Sequence, residues 1–417
     1  MKNNTLLFIT SRLPFPATSG RKTSLYNYCK IIKDYGYKII VASFDDKTDL
    51  NLKPDFIDEV IILPNPGKIT KLSNLLINSF IKRKYPMQVS LYWDKKIDIM
   101  IKDIVSKYSP SIVIGDMVRT TEYLKNLGEN IYTVADLDDR LSLRYERQLE
   151  CDVKNVNPYG LFLSTLPNML QKLLLINFVK TSVMKNEIKL LKKYELDTGK
   201  STDVTVFVAE EEANNFNREL GEDKAIAIPI GVDIEYFKKI DITKKDNYIG
   251  FLGVLNVSHN ENAVKKFIND IFPLVKKEIT DAKFLVIGGG ASDNLKSYEN
   301  DSIIFTGRVD DVRDYLNKCK VFVCPLMFGS GIKTKNLEAM SLGIPVVTTS
   351  VGAENINAVD GKDCFVADDD RLFAKNVVKL LKDDNLGNKI GNSGSLYVSK
   401  HFTWDVAHKK FKKILKR

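Results

Sequence analysis

The chain is nearly without histidine: three occur in 417 residues, at positions 259, 401 and 408. None falls in the first half, so a proton-handling group there must be of another type. Cysteine is sparse as well. Cys29, Cys151, Cys319, Cys324 and Cys364 show no C-x-x-C and no Cys/His ligand spacing, and they read as reduced thiols in a reducing compartment. No window reaches the roughly 18 uninterrupted apolar residues of a membrane-crossing helix. Lys2 is the only charge before Leu6-Leu7-Phe8-Ile9, too little for a secretory signal. The expectation is a cytoplasmic protein. No tandem repeat or low-complexity tract is present.

What is present suits large cores: 44% hydrophobic and 28% charged residues, over a length that allows two or three domains. The net charge of +9 fits an anionic substrate, a membrane surface or nucleic acid without choosing among them. The basic stretches lack an RRM or helix-turn-helix context, so nucleic acid is not expected as a partner.

The stretch from Cys324 to Thr349 carries most of the chemistry. Val321 to Cys324 reads as a buried strand ended by Pro325. Gly329, Ser330 and Gly331 form a loop that lets backbone approach a ligand. Ile332, Leu337, Met340 and Leu342 recur near the helix period, Gly343 stops the helix, and Ile344-Pro345-Val346-Val347 starts the next strand. Strand, glycine loop, helix and strand make a right-handed βαβ unit whose helix N-terminus favours an anion. Lys333 and Lys335 add positive charge there. Glu338 lies deeper, where a carboxylate takes two sugar hydroxyls. Phosphate at the mouth and ribose behind it spell a nucleotide site; a ligand-free βαβ unit has the same pattern.

Upstream, Leu6–Thr10 is a strand, Gly20-Arg21-Lys22 leads into a helix through Leu25, Tyr28, Ile31 and Ile32, and Tyr37–Phe44 is a second strand. Arg21, following a loop, reads as solvated. From Lys68 to Lys96 there are seven Lys or Arg and one acid, Asp94, a net of +6. Leu72, Leu75, Leu76, Ser79 and Phe80 fall on one helical face there. This is either a basic amphipathic helix on an anionic membrane or a surface helix packed on its own domain. Two more strands end at Asp116-Met117 and at Asp136-Leu137-Asp138-Asp139-Arg140. Both ends should open on one edge of a parallel sheet. Residues 141–194 read as mostly helical, with acceptor, membrane and core roles all open. Ala225 to Phe237 reads as a linker. Further strands are expected at Tyr248–Leu252, Phe284–Ile287 before a triple glycine, Ile303–Thr306 before Gly307-Arg308-Val309, and Phe365-Val366. Six of the last ten residues are Lys or Arg, a second candidate for anionic lipid.

Leu337-Glu338-Ala339 followed by Gly343-Ile344-Pro345-Val346-Val347 resembles the donor site of family 4 glycosyltransferases of the GT-B fold. Ala225 to Phe237 resembles their I-P-N-G-V-D linker, with Ile230 in place of asparagine. The acidic run through Arg140 resembles bacterial sugar transferases of exopolysaccharide clusters. The resemblance covers nearly the whole chain and is strongest from Gly307 to Glu354. It implies two Rossmann-like doubly wound α/β domains facing across a cleft. Residues 1–227 would form an acceptor-side domain, with a C-terminal helix at 400–417 packing back on it, and residues 228–399 would bind the donor. It further implies that Gly20 faces the donor diphosphate, that the Val309 backbone reads the base, and that Gly352-Ala353-Glu354 is the turn near the donor sugar. Gly329, Ser330, Gly331, Lys333 and Glu338 would complete the donor site. Ser330 stands where the family often has a second glutamate. No Arg or Lys stands between Gly253 and Asn262, where the family often has a phosphate-binding cation, so Lys333 would supply that charge.

The reaction implied is retaining transfer of a sugar from a nucleotide-diphosphate sugar to a glycan or lipid-linked acceptor, with the leaving phosphate assisting deprotonation. Metal and cofactor are not expected, although Asp136-Leu137-Asp138 is a D-x-D, which in GT-A enzymes holds a divalent ion. Asp116 and Asp138 are candidate catalytic groups of the first domain, Lys333 of the second, and Lys335 should point elsewhere on its helix. Two other readings share these features: a nucleotide-sugar epimerase, and a non-catalytic partner in a polysaccharide assembly complex.

Overall fold

The computed structural model describes residues 4–17, 20–151, 171, 176–238, 246–329 and 331–415. Much of the 141–194 stretch, together with Thr18, Ser19 and Ser330, lies outside the described residues. The chain divides into two compact units, residues 1–229 with 407–417, and residues 230–406.

The first unit is built on seven parallel strands. They are β1 (Thr5–Thr10), β2 (Lys38–Ser43), β3 (Glu59–Ile62), β4 (Ile112–Asp116), β5 (Tyr132–Asp138), β6 (Val204–Phe207) and β7 (Ala225–Ala227), in spatial order β3-β2-β1-β4-β5-β6-β7. Its central strands β1 and β4 are largely apolar and buried along their length, as strands covered on both faces must be. The helices are α1 (Gly20–Asp34), α2 (Lys68–Asn74), α3 (Met87–Ser90), α4 (Lys95–Tyr108), α5 (Met117–Thr120), α6 (Leu141–Cys151), α7 (Asn177–Ser201) and α8 (Glu210–Leu220). Residues Ala407 to Leu415 close the unit. Phe411 meets Tyr28 of α1 edge to face at 4.7 Å, and Tyr37 donates to the Leu415 carbonyl at 2.9 Å.

The second unit has six parallel strands: β8 (Tyr248–Leu252), β9 (Lys283–Ile287), β10 (Ile303–Phe305), β11 (Cys319–Cys324), β12 (Val346–Thr348) and β13 (Phe365–Val366). Their order is β10-β9-β8-β11-β12-β13. Its helices include α9 (Ser258–Lys266), α10 (Thr334–Ser341), α11 (Asp370–Lys382) and α12 (Asp384–His401). Both units are doubly wound Rossmann-like α/β domains.

Two segments differ from expectation. Ala225–Ala227, read as linker, pairs with β6 as an edge strand. The face expected over 72–80 is divided. The helix turns π-helical over Leu75–Ile81, and that change of winding buries Leu75 and Ser79 while Ile69, Leu72, Leu76, Ile77, Phe80 and Ile81 stay exposed.

Candidate functional site

In an open parallel sheet, ligands bind beyond the carboxyl ends of the strands where strand order reverses. In the second unit that point lies between β8 and β11. Leaving β11, the chain turns through Gly329 and Gly331 at φ of 148° and 67°, backbone that L side chains rarely adopt, and enters α10. Lys333 is the N-cap residue, only 7% exposed, and its Nζ donates to the Gly331 carbonyl at 2.6 Å. It folds back into the glycine loop.

Lys335 goes the other way. Its Nζ donates to Asn260 Oδ1 and lies 4.6 Å from the Phe251 ring centroid. A Cβ on Gly253 would sit 3.1 Å from it. Asn260 in turn donates to the Val254 carbonyl at 2.9 Å. A lysine therefore does stand at the end of β8, supplied by a helix about 80 residues downstream. It is Lys335, the one expected to point away. The signal available in the sequence was its spacing to Glu338, three residues on and thus on the same helical face.

Glu338 is half-buried on that face. Burial pushes its carboxyl up to about 7, with Lys335 pulling it back, and burial likewise lowers the Lys335 ammonium. Asn336 donates to the Gly352 carbonyl at 2.8 Å and to Thr348 Oγ1 at 3.3 Å. Those bonds tie the turn that carries Glu354 to α10. Gly329, Gly331, Lys333, Glu338 and Glu354 thus gather around one helix. Val309 follows β10, two strands away from β8, in a loop joined to the one after β9 by the Gly288–Gly307 bridge.

In the first unit strand order reverses between β1 and β4. Gly20 is the first residue of α1, with open space where a Cβ would stand. Arg21, expected in solvent, is only 9% exposed. Its Nε donates to Asp116 at 2.8 Å, Nη2 to Asp136 at 2.6 Å and Nη1 to Asp138 at 3.0 Å. The strand register sets Asp116 beside Asp136, and one guanidinium reaches across both strand ends. The D-x-D pair thus points at an arginine. Asp116 is fully buried, and its Oδ2 has no partner among the described residues. Burial drives Asp136 up to about 6 against the pull of Arg21, and raises Asp138 too. Met117 and Asp138, both at strand ends, hold φ of 60° and 67°, conformations that persist only where the surroundings enforce them. The remainder of the acidic run is structural. Asp139 pairs with Arg144, and Arg140 with Glu195 and Glu219.

Residues 246–383 match the family model described as glycosyl transferases group 1. Over 208 residues the chain is 29% identical to an uncharacterized 44.6 kDa protein in the cps region of Klebsiella pneumoniae, covering 47% of this chain and 52% of that one. Over 171 residues it is 27% identical to the capsular polysaccharide biosynthesis glycosyltransferase CapM of Staphylococcus aureus, covering 39% of this chain and 44% of CapM. The chain thus spans about half the length of the curated relatives it matches. Among solved structures, sucrose-phosphate synthase of Thermosynechococcus elongatus superposes with a TM-score of 0.71 at 13% identity, over 99% of this chain and 98% of that one. Anabaena HepE in complex with UDP-glucose does so with a TM-score of 0.64 at 12% identity, over 99% of each chain. The likeness is one of fold, the GT-B fold.

Proposed function

We propose, since residues 246–383 are a glycosyl transferases group 1 domain, that the chain is a retaining glycosyltransferase of surface polysaccharide synthesis. It moves a sugar from a nucleotide-diphosphate sugar to a glycan or lipid-linked acceptor and needs neither metal nor further cofactor. The second unit binds the donor and the first the acceptor. The observation that carries this reading is the Lys335–Glu338 face of α10 at the strand reversal: a cation beside the phosphate position and a carboxylate one turn behind it for the ribose. The protein's work is to hold the reacting groups and to stabilise the diphosphate as it gains charge. Lys333 shapes the loop at that phosphate position, and Gly20, Val309, Gly329, Ser330, Gly331 and Glu354 complete the donor contacts. Asp138, 23% exposed at its side chain, is the group that meets the acceptor hydroxyl, and Asp116, fully buried, acts on it through Arg21. HepE is solved in complex with UDP-glucose, and CapM is named for capsular polysaccharide biosynthesis; both support the substrate class. The basic stretch 68–96 and the C-terminal tail support peripheral binding at the inner, anionic face of the plasma membrane.

The test is nucleotide binding by calorimetry. Glu338→Ala removes charge-assisted hydrogen bonds of about 1.5–3 kcal/mol, so affinity falls about ten- to a hundred-fold. Two hydroxyls donate best to an ionised carboxylate, and Glu338 ionises near pH 7 in the free protein. Affinity therefore rises from pH 6 to pH 8 in the parent and is flat in Glu338→Gln. Parent-like affinity in Glu338→Ala removes the residue from the site.

A further inference from the structure

We propose that Arg12 and Arg119 form a phosphate-binding pair in the first unit that takes the phosphate or diphosphate of a lipid-linked acceptor. The word acceptor rests on the transferase reading above; the anion site does not. Arg12 lies two residues past the end of β1, and Arg119 is the third residue of α5, directly after β4. These are the two strands between which the order reverses, so both side chains belong to the ligand edge of the sheet.

Their bonding sets them apart from their neighbours. Arg21, Arg140 and Arg144, all close by, are each locked to carboxylates. Among the described residues Arg12 and Arg119 form no ion pair. Among the described residues Arg12 hydrogen-bonds to the Met117 sulfur alone, at 3.8 Å. Arg119 donates through Nε to the Gln88 side-chain oxygen at 2.9 Å and lies 5.8 Å over the Tyr92 ring. Both are half-buried. Burial lowers the Arg12 guanidinium, Arg119 and Arg21 push it the same way, and Asp116 and Tyr92 oppose them. Arg21 engages Asp116 through Oδ1 alone, and Arg12 makes no ion pair with that carboxylate. Two like charges in partial burial repel each other, and an oxyanion bound between them removes that cost. A guanidinium fork matches a phosphoryl edge in a bidentate manner. Two forks from two strand ends suit the tetrahedral phosphoryl groups of a phosphate or diphosphate; a planar carboxylate is satisfied by one.

The source of the phosphate follows from the segment that holds Arg119. Gln88 and Tyr92 directly follow the basic helical stretch that starts at Lys68 and leaves Ile69 87% and Ile81 75% exposed, with Leu72, Leu76, Ile77 and Phe80 exposed between them. Lys82, Arg83 and Lys84 join the two. Chain with the chemistry of an anionic lipid surface thus runs straight into the wall of the arginine site.

The test uses the full chain and three probes: geranyl diphosphate, geraniol and inorganic pyrophosphate, each titrated into the parent and into Arg12→Gln/Arg119→Gln. Neither side chain holds a buried carboxylate, so the variant melts within a few degrees of the parent, and Arg12→Lys recovers part of the lost affinity. The expected result is binding of geranyl diphosphate at least about tenfold tighter than geraniol by the parent, with that preference lost in the double variant. Parent preference for geranyl diphosphate over pyrophosphate assigns the site to lipid-linked phosphate; equal, arginine-dependent binding of both assigns it to the phosphate group alone. The proposal is overturned if the double variant binds geranyl diphosphate as the parent does, or if geraniol binds equally well. UDP titrated alongside keeps the two ideas apart: no UDP binding removes the transferase reading, while the arginine result stands by itself.

Discussion

Arg21 answers three carboxylates with one positive charge; Asp116 and Asp136 are buried and Asp138 is 23% exposed at its side chain. Deleting the cation leaves Asp116 and Asp136 facing each other out of water, with Asp138 at their edge. Removing one member of such a buried group costs about 3–5 kcal/mol. Arg21→Met should lose about that much in urea unfolding at pH 7. The carboxyls of Asp136 and Asp138 are already raised in the parent and would rise further without the arginine. The folded variant then takes up protons as the pH falls, so its deficit shrinks at pH 5; a deficit that grows there contradicts the account. None of this was legible locally. The sequence shows an arginine after a loop, and only the register of β4 against β5, with α1 laid beside them, makes it a buried one. Lys333 and Lys335 teach the same lesson. Their order along the chain suggested which one meets a phosphate, while helix phase and the folded-back N-cap decide where each ammonium goes.

At the scale of elements, α10 owes its position to a ridge of small residues. Gly387, Gly391 and Gly394 recur along α12 at helical spacing, and a Cβ on Gly391 would stand 2.0 Å from the Gly343 carbonyl oxygen that follows α10. That atom is backbone and cannot rotate away. Gly391→Ala should therefore cost at least the about 1–3 kcal/mol typical of overpacking. Because α10 must shift with it, nucleotide affinity should fall too, although Gly391 is not among the proposed donor-site residues. Equal melting temperatures and equal nucleotide affinity would show that the helices separate freely. Most strands were readable because Val- and Ile-rich runs bounded by glycine and proline have few other uses. Ala225–Ala227 was not, since three residues are too short for periodicity and Pro229 follows at once. The acidic run was read as a strand end, yet β5 continues to Asp138, because Arg21 neutralises carboxylates that would otherwise leave the sheet.

For the whole molecule, the basic stretch 68–96 makes a measurable claim. Each cation near an anionic surface contributes about 1 kcal/mol, so a net charge of +6 suffices for peripheral binding. The exposed Ile69, Leu72, Leu76, Phe80 and Ile81 add an apolar component that salt does not screen. The protein should cosediment with phosphatidylglycerol vesicles and weakly with phosphatidylcholine. Salt should weaken that binding steeply, and Ile69→Ser/Ile81→Ser should weaken it at every salt concentration. Equal binding to both lipids, or a double variant indistinguishable from the parent, rules this surface out. The charge was visible in composition; the outward apolar row was not, because the π-helical stretch alters which residues share a face.

The closing of the first unit by Ala407 to Leu415 has a consequence in time. Phe411, which packs on Tyr28, is translated about 180 residues after the last residue of the unit's first segment, Pro229. At roughly 5–20 residues per second that is a wait of about ten to forty seconds. Through it, Tyr28 on α1 lacks the aromatic partner it has in the finished fold. A nascent chain stalled near residue 400 would be the species most in need of a chaperone, and most open to a protease.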